Sequence, residues 1–203
     1  MTTPKERTFP DWKQIYVDRP IEGMPWFYEP LDPDVAGALD RLRVTSGRAL
    51  DLGTGPGTQA IELARRGLET TGSDLAQAAV DKAKERAERA GVKVAFVADD
   101  VLASKLTGPF DVVLDRGCFH TLPPARRGDY ARTVARIIPK GGHLFLKTFS
   151  AKQEGDFGPY RLSPDDIHAT FDELFEVESI TDTVYQGVMD PLPFALFCVL
   201  VPR

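Results

Sequence analysis

One stretch of this chain limits its folding options more than any other. Ala49-Leu50-Asp51-Leu52 is an apolar run around a single acid, and Gly53-Thr54-Gly55-Pro56-Gly57-Thr58 follows at once. A helical pattern leaves this turn, and a second strand pattern ends at Gly72-Ser73-Asp74. Strand, glycine-rich turn, helix and acid-tipped strand make up half of a nucleotide-binding sheet. Glycines let the backbone turn sharply and approach a ligand with no Cβ in the way. A carboxylate at the tip of the second strand suits two hydrogen bonds from a ribose diol.

The rest of the chain continues the alternation. Arg48–Leu52 reads as strand one, Gly57 to Arg66 as a helix with Ala60, Ile61 and Ala64 inward, and Glu69–Asp74 as strand two. Ala76 to Ala90 is predicted as a helix with Ala79, Val80, Ala83 and Ala87 buried and its charged residues in water. Lys93 to Ala98, Phe110 to Asp115 and His143 to Phe149 are strands three to five, with a helix over Arg126 to Ile138 before the fifth. Ser163 and Pro164 form a helix start, as N-cap and first residue. Glu176 to Ile180 and Phe194 to Val201 are two late strands. The last is apolar throughout, as burial on both faces requires. The expected fold is α/β: a seven-stranded, mostly parallel sheet with helices on both faces. One domain over 1–203 is expected, with a core at 48–149 and the rest of the sheet at 150–203. Residues 1–31, rich in Trp, Tyr and Pro, are read as an N-terminal cap or lid.

Composition excludes several classes. A net charge of −5 and no basic run longer than Arg-Arg argue against a surface that tracks nucleic-acid phosphates. No apolar run approaches the ~20 residues of a membrane span. Met1 to Pro10 is polar, without a signal-like segment. Cys118 and Cys198 have no metal-knuckle spacing, so no metal site is expected, and free thiols fit a reducing cytoplasm. The expected partner is a small-molecule acceptor bound by a monomer or weak homodimer, without nucleic acid or membrane.

Two cofactor classes compete for the glycine turn. A dinucleotide site reads G-x-G-x-x-G, with pyrophosphate on a helix N-terminus. This turn reads G-x-G-x-G, and Asp51 stands two residues before its first glycine. An acid there is a poor neighbour for pyrophosphate and a good one for an amino group. No Tyr-x-x-x-Lys pair accompanies it, which weighs further against an NAD-dependent oxidoreductase.

The acid-x-G-x-G-x-G pattern resembles the class I S-adenosylmethionine-dependent methyltransferase family, and the likeness spans roughly Arg48 to Pro202. It implies a Rossmann-like sheet whose seventh strand is antiparallel between the fifth and sixth. It also implies S-adenosyl-L-methionine as cofactor. By that resemblance, Asp51 and the loop Gly53, Thr54, Gly55 and Gly57 hold the methionyl end, and Asp74 holds the ribose. Leu75 packs on the adenine. An acid of Val97-Ala98-Asp99-Asp100-Val101-Leu102 takes the adenine amino group, Asp100 being favoured over Asp99, and the following backbone at Val101 serves a ring nitrogen. Asp115 and Trp26 complete the cofactor set.

Asp115-Arg116-Gly117-Cys118-Phe119-His120 follows strand four and lacks the Asp/Asn-Pro-Pro-aromatic turn of DNA amino methyltransferases. Trp12-x-x-x-Tyr16, Pro25-Trp26 and Gly158-Pro159-Tyr160 resemble instead the branch of thiopurine, thiol and tellurite-resistance-type methyltransferases. The candidate catalytic residues are His120 and Arg116. His120 is either a general base or a structural histidine. Arg116 either binds an anionic acceptor or pairs with Asp115, and the pair is preferred. The expected activity is methyl transfer to a thiol or similar soft acceptor. The alternatives are O-methylation of a small natural product with His120 as base, an oxidoreductase, and a non-catalytic cofactor-binding protein.

Overall fold

The computed structural model describes residues 7, 9–155 and 157–203. Most of the polar start of the chain thus lies outside the described residues. The elements run α1 (Trp12–Asp18), α2 (Pro33–Arg41), β1 (Arg48–Leu52), α3 (Thr58–Arg65), β2 (Glu69–Asp74), α4 (Gln77–Arg89), β3 (Ala95–Ala98), β4 (Val112–Arg116), α5 (Arg127–Ile137), β5 (His143–Phe149), α6 (Pro164–Phe171), β6 (Phe175–Val184) and β7 (Phe194–Pro202).

The strands form one sheet in the order β3-β2-β1-β4-β5-β7-β6. β1 to β5 pair in parallel, and β7 runs antiparallel between β5 and β6. From β1 the chain builds outward through β2 and β3, then returns to β4 on the other side. The loops after β1 and β4 therefore diverge, and open α/β sheets bind ligands in the crevice left at such a point.

Side chains alternate between two cores along each central strand. Leu50, Leu52, Val113, Leu144, Leu146, Cys198 and Leu200 meet α5 and α6 through Tyr130, Val134, Ile137, Ile167 and Phe171. Ala49, Val112, Leu114, Phe145, Phe197 and Val199 meet α2 and α3 through Val35, Ala38, Leu39 and Leu63. A smaller cluster joins the N-terminal segment to α4: Ile15, Tyr16, Ile21 and Met24 against Ala76 and Ala79.

Most predicted elements lie within two residues of the observed ones. β6 is the largest departure. It extends to Val184, because backbone pairing with β7 carries the polar residues Thr181, Asp182 and Thr183 along. The capping box at Ser163 forms, with Asp166 completing it. Among the described residues, no helix is long and apolar enough to cross a membrane.

Candidate active site

The loop after β1 is pinned from both ends. Asp51 is 2% exposed, and its Oδ2 accepts hydrogen bonds from Thr54 Oγ1 (2.6 Å) and the Ala60 amide (3.1 Å). Its Oδ1 has no partner among the described residues. Burial drives the Asp51 pKa up to about 6, against the pull of those two donors. Gly55 adopts φ +51, a left-handed conformation, and a Cβ there would stand 2.9 Å from Tyr16 Oη.

Asp74, at the tip of β2, is largely buried. Its Oδ2 accepts from the Gly55 amide (2.8 Å) and its Oδ1 from the Ala76 amide (2.9 Å). The acid thus locks the glycine loop to β2. Desolvation raises its pKa. Asp99 Oδ1 accepts from Lys105 N and Asp100 Oδ1 from Leu102 N, which fixes the turn after β3 and leaves Oδ2 of each acid without a partner among the described residues. Leu75 is 43% exposed, the kind of apolar surface a flat ring covers.

These groups wall one half of a cavity of about 860 Å³. The other half is apolar: Phe9, Trp12, Trp26, Phe149, Phe157 and Tyr185 contribute aromatic surface. Tyr16 and Met24 close it from the N-terminal segment. Arg7 Nη1 donates to the Gly158 carbonyl (3.2 Å), joining that segment to the loop before α6.

Four sequence expectations require correction. Asp115 does not line the cavity. Its fully buried carboxylate accepts from the amides of Gly117, Cys118 and Phe119 and from Tyr130 Oη (2.7 Å), so it folds the turn after β4. Gly57 does not line it either. It caps α3 at φ +79, where a Cβ would meet Ala83 at 2.8 Å and the Phe96 ring at 3.0 Å. Arg116 pairs with Asp32, not Asp115. Its Nε meets Asp32 Oδ2 at 2.8 Å, Nη1 donates to the Trp26 carbonyl (3.1 Å) and Nη2 to the Gln186 carbonyl, so the guanidinium is spent on the protein.

His120 is the fourth. It is buried, with its ring stacked on Tyr185 and edge-on to Phe149. Nδ1 accepts from the Phe149 amide at 2.9 Å. The lone pair a base would use is thereby occupied, and the neutral ring carries its proton on Nε2. Desolvation, with the charges of Arg116 and Arg127, holds its pKa down at about 3. Cys118 also lines the cavity, and burial, with the charges of Asp115, Asp74 and Asp100, raises its thiol pKa well above the ordinary value.

Sequence reasoning missed the buried charges behind this wall. Lys147, fully buried in β5, donates to Asp32 Oδ1 (2.7 Å), Asp32 Oδ2 (2.8 Å) and Asp34 Oδ2 (2.6 Å). Thr183 Oγ1 donates to Asp34 as well (2.9 Å). Gln59 accepts from the Asp32 amide and donates to the carbonyls of Tyr28 and Pro30. A signal was present: a lysine inside the apolar run His143-Leu-Phe-Leu-Lys147 must find an acid once buried.

The doubly wound α/β sheet thus carries, at its switch point, a crevice walled by acids on one side and aromatic rings on the other. Residues 49–142 match the family described as "Methyltransferase domain". The chain is 28% identical over 161 residues to the 2-heptyl-1-hydroxyquinolin-4(1H)-one methyltransferase of Mycobacteroides abscessus, covering 77% of this chain and 70% of that protein. It is 25% identical to the probable thiol methyltransferase 2 of Arabidopsis thaliana, over 78% of this chain and 71% of that one. A solved structure from work on "Conversion of a Disulfide Bond into a Thioacetal Group during Echinomycin Biosynthesis" has the same fold, with TM-score 0.82 and 24% identity over 94% of this chain and 90% of that one. The chain belongs to the class I S-adenosylmethionine-dependent methyltransferases. It transfers a methyl group from S-adenosyl-L-methionine to a small molecule. The cavity suits that donor, because Asp51, a residue only 2% exposed, lines the cavity and its Oδ1 has no partner among the described residues, as an ammonium group requires.

Proposed function

We propose that this chain methylates a sulfur, or a hydroxyl acidic enough to ionise unaided, on a small apolar molecule, with thiols as the first class to test. The donor supplies an electrophilic methyl group on a sulfonium. Asp51 and the loop through Gly55 hold its methionyl end, and Asp74 its ribose. Leu75 packs on the adenine, and Asp100, beside Val101, takes the adenine amino group. The aromatic half of the cavity, with Trp26 at its edge, receives the acceptor and excludes water.

One observation carries the acceptor class: the Phe149 amide occupies the basic nitrogen of His120. An alcohol or ammonium acceptor needs a base. A thiolate needs only alignment and desolvation. The names of the two relatives contain acceptors of this kind, a 1-hydroxyquinolinone and a thiol.

A panel assay for S-adenosylhomocysteine release tests the proposal. Aromatic thiols and acidic hydroxyl compounds are expected to turn over, and aliphatic alcohols and amines are not. Turnover of amines or alcohols with none of thiols overturns it.

The cofactor side gives a pH prediction. An ammonium group pairs with Asp51 only when that acid is ionised, and its pKa before binding is about 6. Affinity for S-adenosylhomocysteine should therefore be flat above that pH and fall about tenfold per pH unit below it. Calorimetry across pH 4.5 to 8 checks this (about ten points suffice to fix the break). Asp51→Asn should bind weakly at every pH, with no break, and a break that persists in this variant removes Asp51 from the role.

A further inference from the structure

We propose that His120 selects ionised acceptors, through an Nε2–H fixed as a hydrogen-bond donor toward the methyl acceptor. The inference deepens the acceptor reading above and rests on it. Its geometry is local. The Phe149 amide fixes which nitrogen is bare, and stacking on Tyr185 with edge contact to Phe149 fixes the ring plane. Nε2 has no partner among the described residues, although His120 is only 4% exposed and lines the cavity. It sits beside Gly117, 3.2 Å from where a Cβ on that residue would lie, and Gly117 lines the cavity too. Once a ligand displaces water from the cavity, an N–H left without an acceptor is costly, and a ligand lone pair placed there keeps the bond.

The charges around the ring are of both signs. Arg116 from β4, itself paired with Asp32, and Arg127 from α5 bring positive charge, and both act on His120; Asp115, Asp74 and Asp100 act on Cys118, two residues before it. Tyr185, after β6, donates its hydroxyl to the Arg116 carbonyl (2.7 Å), so it offers no negative charge. Tyr160, before α6, and Phe119 lie under the Arg127 guanidinium. A neutral thiol or hydroxyl loses little when Nε2–H is removed, whereas its anion loses a charge-assisted bond. In the transfer itself, the anion's electron pair forms the new bond to carbon. The carbon–sulfonium bond breaks, with its pair kept by the sulfur of S-adenosylhomocysteine. No proton leaves or enters the protein, and Nε2–H stays intact throughout.

The test uses thiophenol, whose thiolate is separated from its thiol by ultraviolet difference spectra, and the full chain saturated with S-adenosylhomocysteine. That product has no sulfonium, so any stabilisation of the anion comes from the protein. The bound thiol is expected to titrate at least about one pH unit below free thiophenol, a tenfold change in the thiolate-to-thiol ratio. His120→Phe keeps a ring and removes the donor. It should restore the solution value while leaving the S-adenosylhomocysteine dissociation constant within about twofold, under 0.5 kcal/mol. His120→Asn, which keeps an acceptor for the Phe149 amide and an N–H, should retain part of the shift. Thiophenol that binds with its solution pKa, does not bind, or stays shifted in His120→Phe overturns the proposal. The wild-type titration decides the matter even where the Phe variant is unstable. Because it needs no turnover, its outcome is separate from that of the panel assay.

Discussion

Gly55→Val is expected to weaken S-adenosylhomocysteine binding at least about a hundredfold, roughly 2.7 kcal/mol. Two independent effects converge on that position. The left-handed φ of +51 is strained for any residue with a Cβ and worst for a branched one. The added Cβ also lies 2.9 Å from Tyr16 Oη, so either the loop or the N-terminal segment must shift. The Gly55 amide is the donor to Asp74 Oδ2, so a shifted loop disturbs the second acid of the site as well. The strain should lower stability by about 1–3 kcal/mol without unfolding the sheet. Calorimetry gives the affinity and circular dichroism the fold. A folded variant that binds as tightly as wild type would mean the loop does not hold the cofactor.

Deleting residues 1–25 is expected to cut turnover at least about a hundredfold, because a misplaced acceptor alone has that effect. The deletion removes Trp12, Tyr16 and Met24 from the cavity wall and Ile15 and Ile21 from the cluster on α4. Both large cores lie elsewhere, on α2, α3, α5 and α6, so the sheet should still form. Asp32 and Lys147 also remain. Initial rates of S-adenosylhomocysteine release and a urea melt separate the two effects. Normal turnover in the truncated chain would reduce the segment to a structural strap.

What the sequence revealed, and what it hid, follows a physical line. Elements with strong local signals were legible. The Ala79, Val80, Ala83, Ala87 stripe is buried as its 3.6-residue period requires, and Ser163 caps its helix with Pro164 at the first position, as read. β1, β2 and β5 had clear ends because glycines and acids bound them. The acids Asp51 and Asp74 were also legible, since they sit at strand ends beside the glycine turn. Asp115 has the same local signature and a different fate. Only the arrival of Tyr130 from α5 and the curl of the next three amides fill its carboxylate. The partner of Arg116 lay 84 residues away at Asp32, not beside it at Asp115. The role of His120 turned on one backbone amide in β5, and no side-chain pattern encodes that.

The Asp32 cluster also has a consequence for the order in which the molecule assembles. Its contacts span long stretches of chain: 115 residues from Lys147 to Asp32, 149 from Thr183 to Asp34, and 70 from Arg116 to Gln186. Closing such loops is slow and gives little return until both ends are structured. Arg116 sits in the fourth strand, Lys147 in the fifth and Thr183 in the sixth, so Asp32 and Asp34 gain their full set of partners only when most of the sheet stands. A lone charge left in that interior would cost about 3–5 kcal/mol, so the segment cannot dock halfway. The outer wall therefore closes in a late, all-or-none step. In hydrogen exchange, the amides of Trp26 to Asp34 should open together, and they should open before those of β1 and β4.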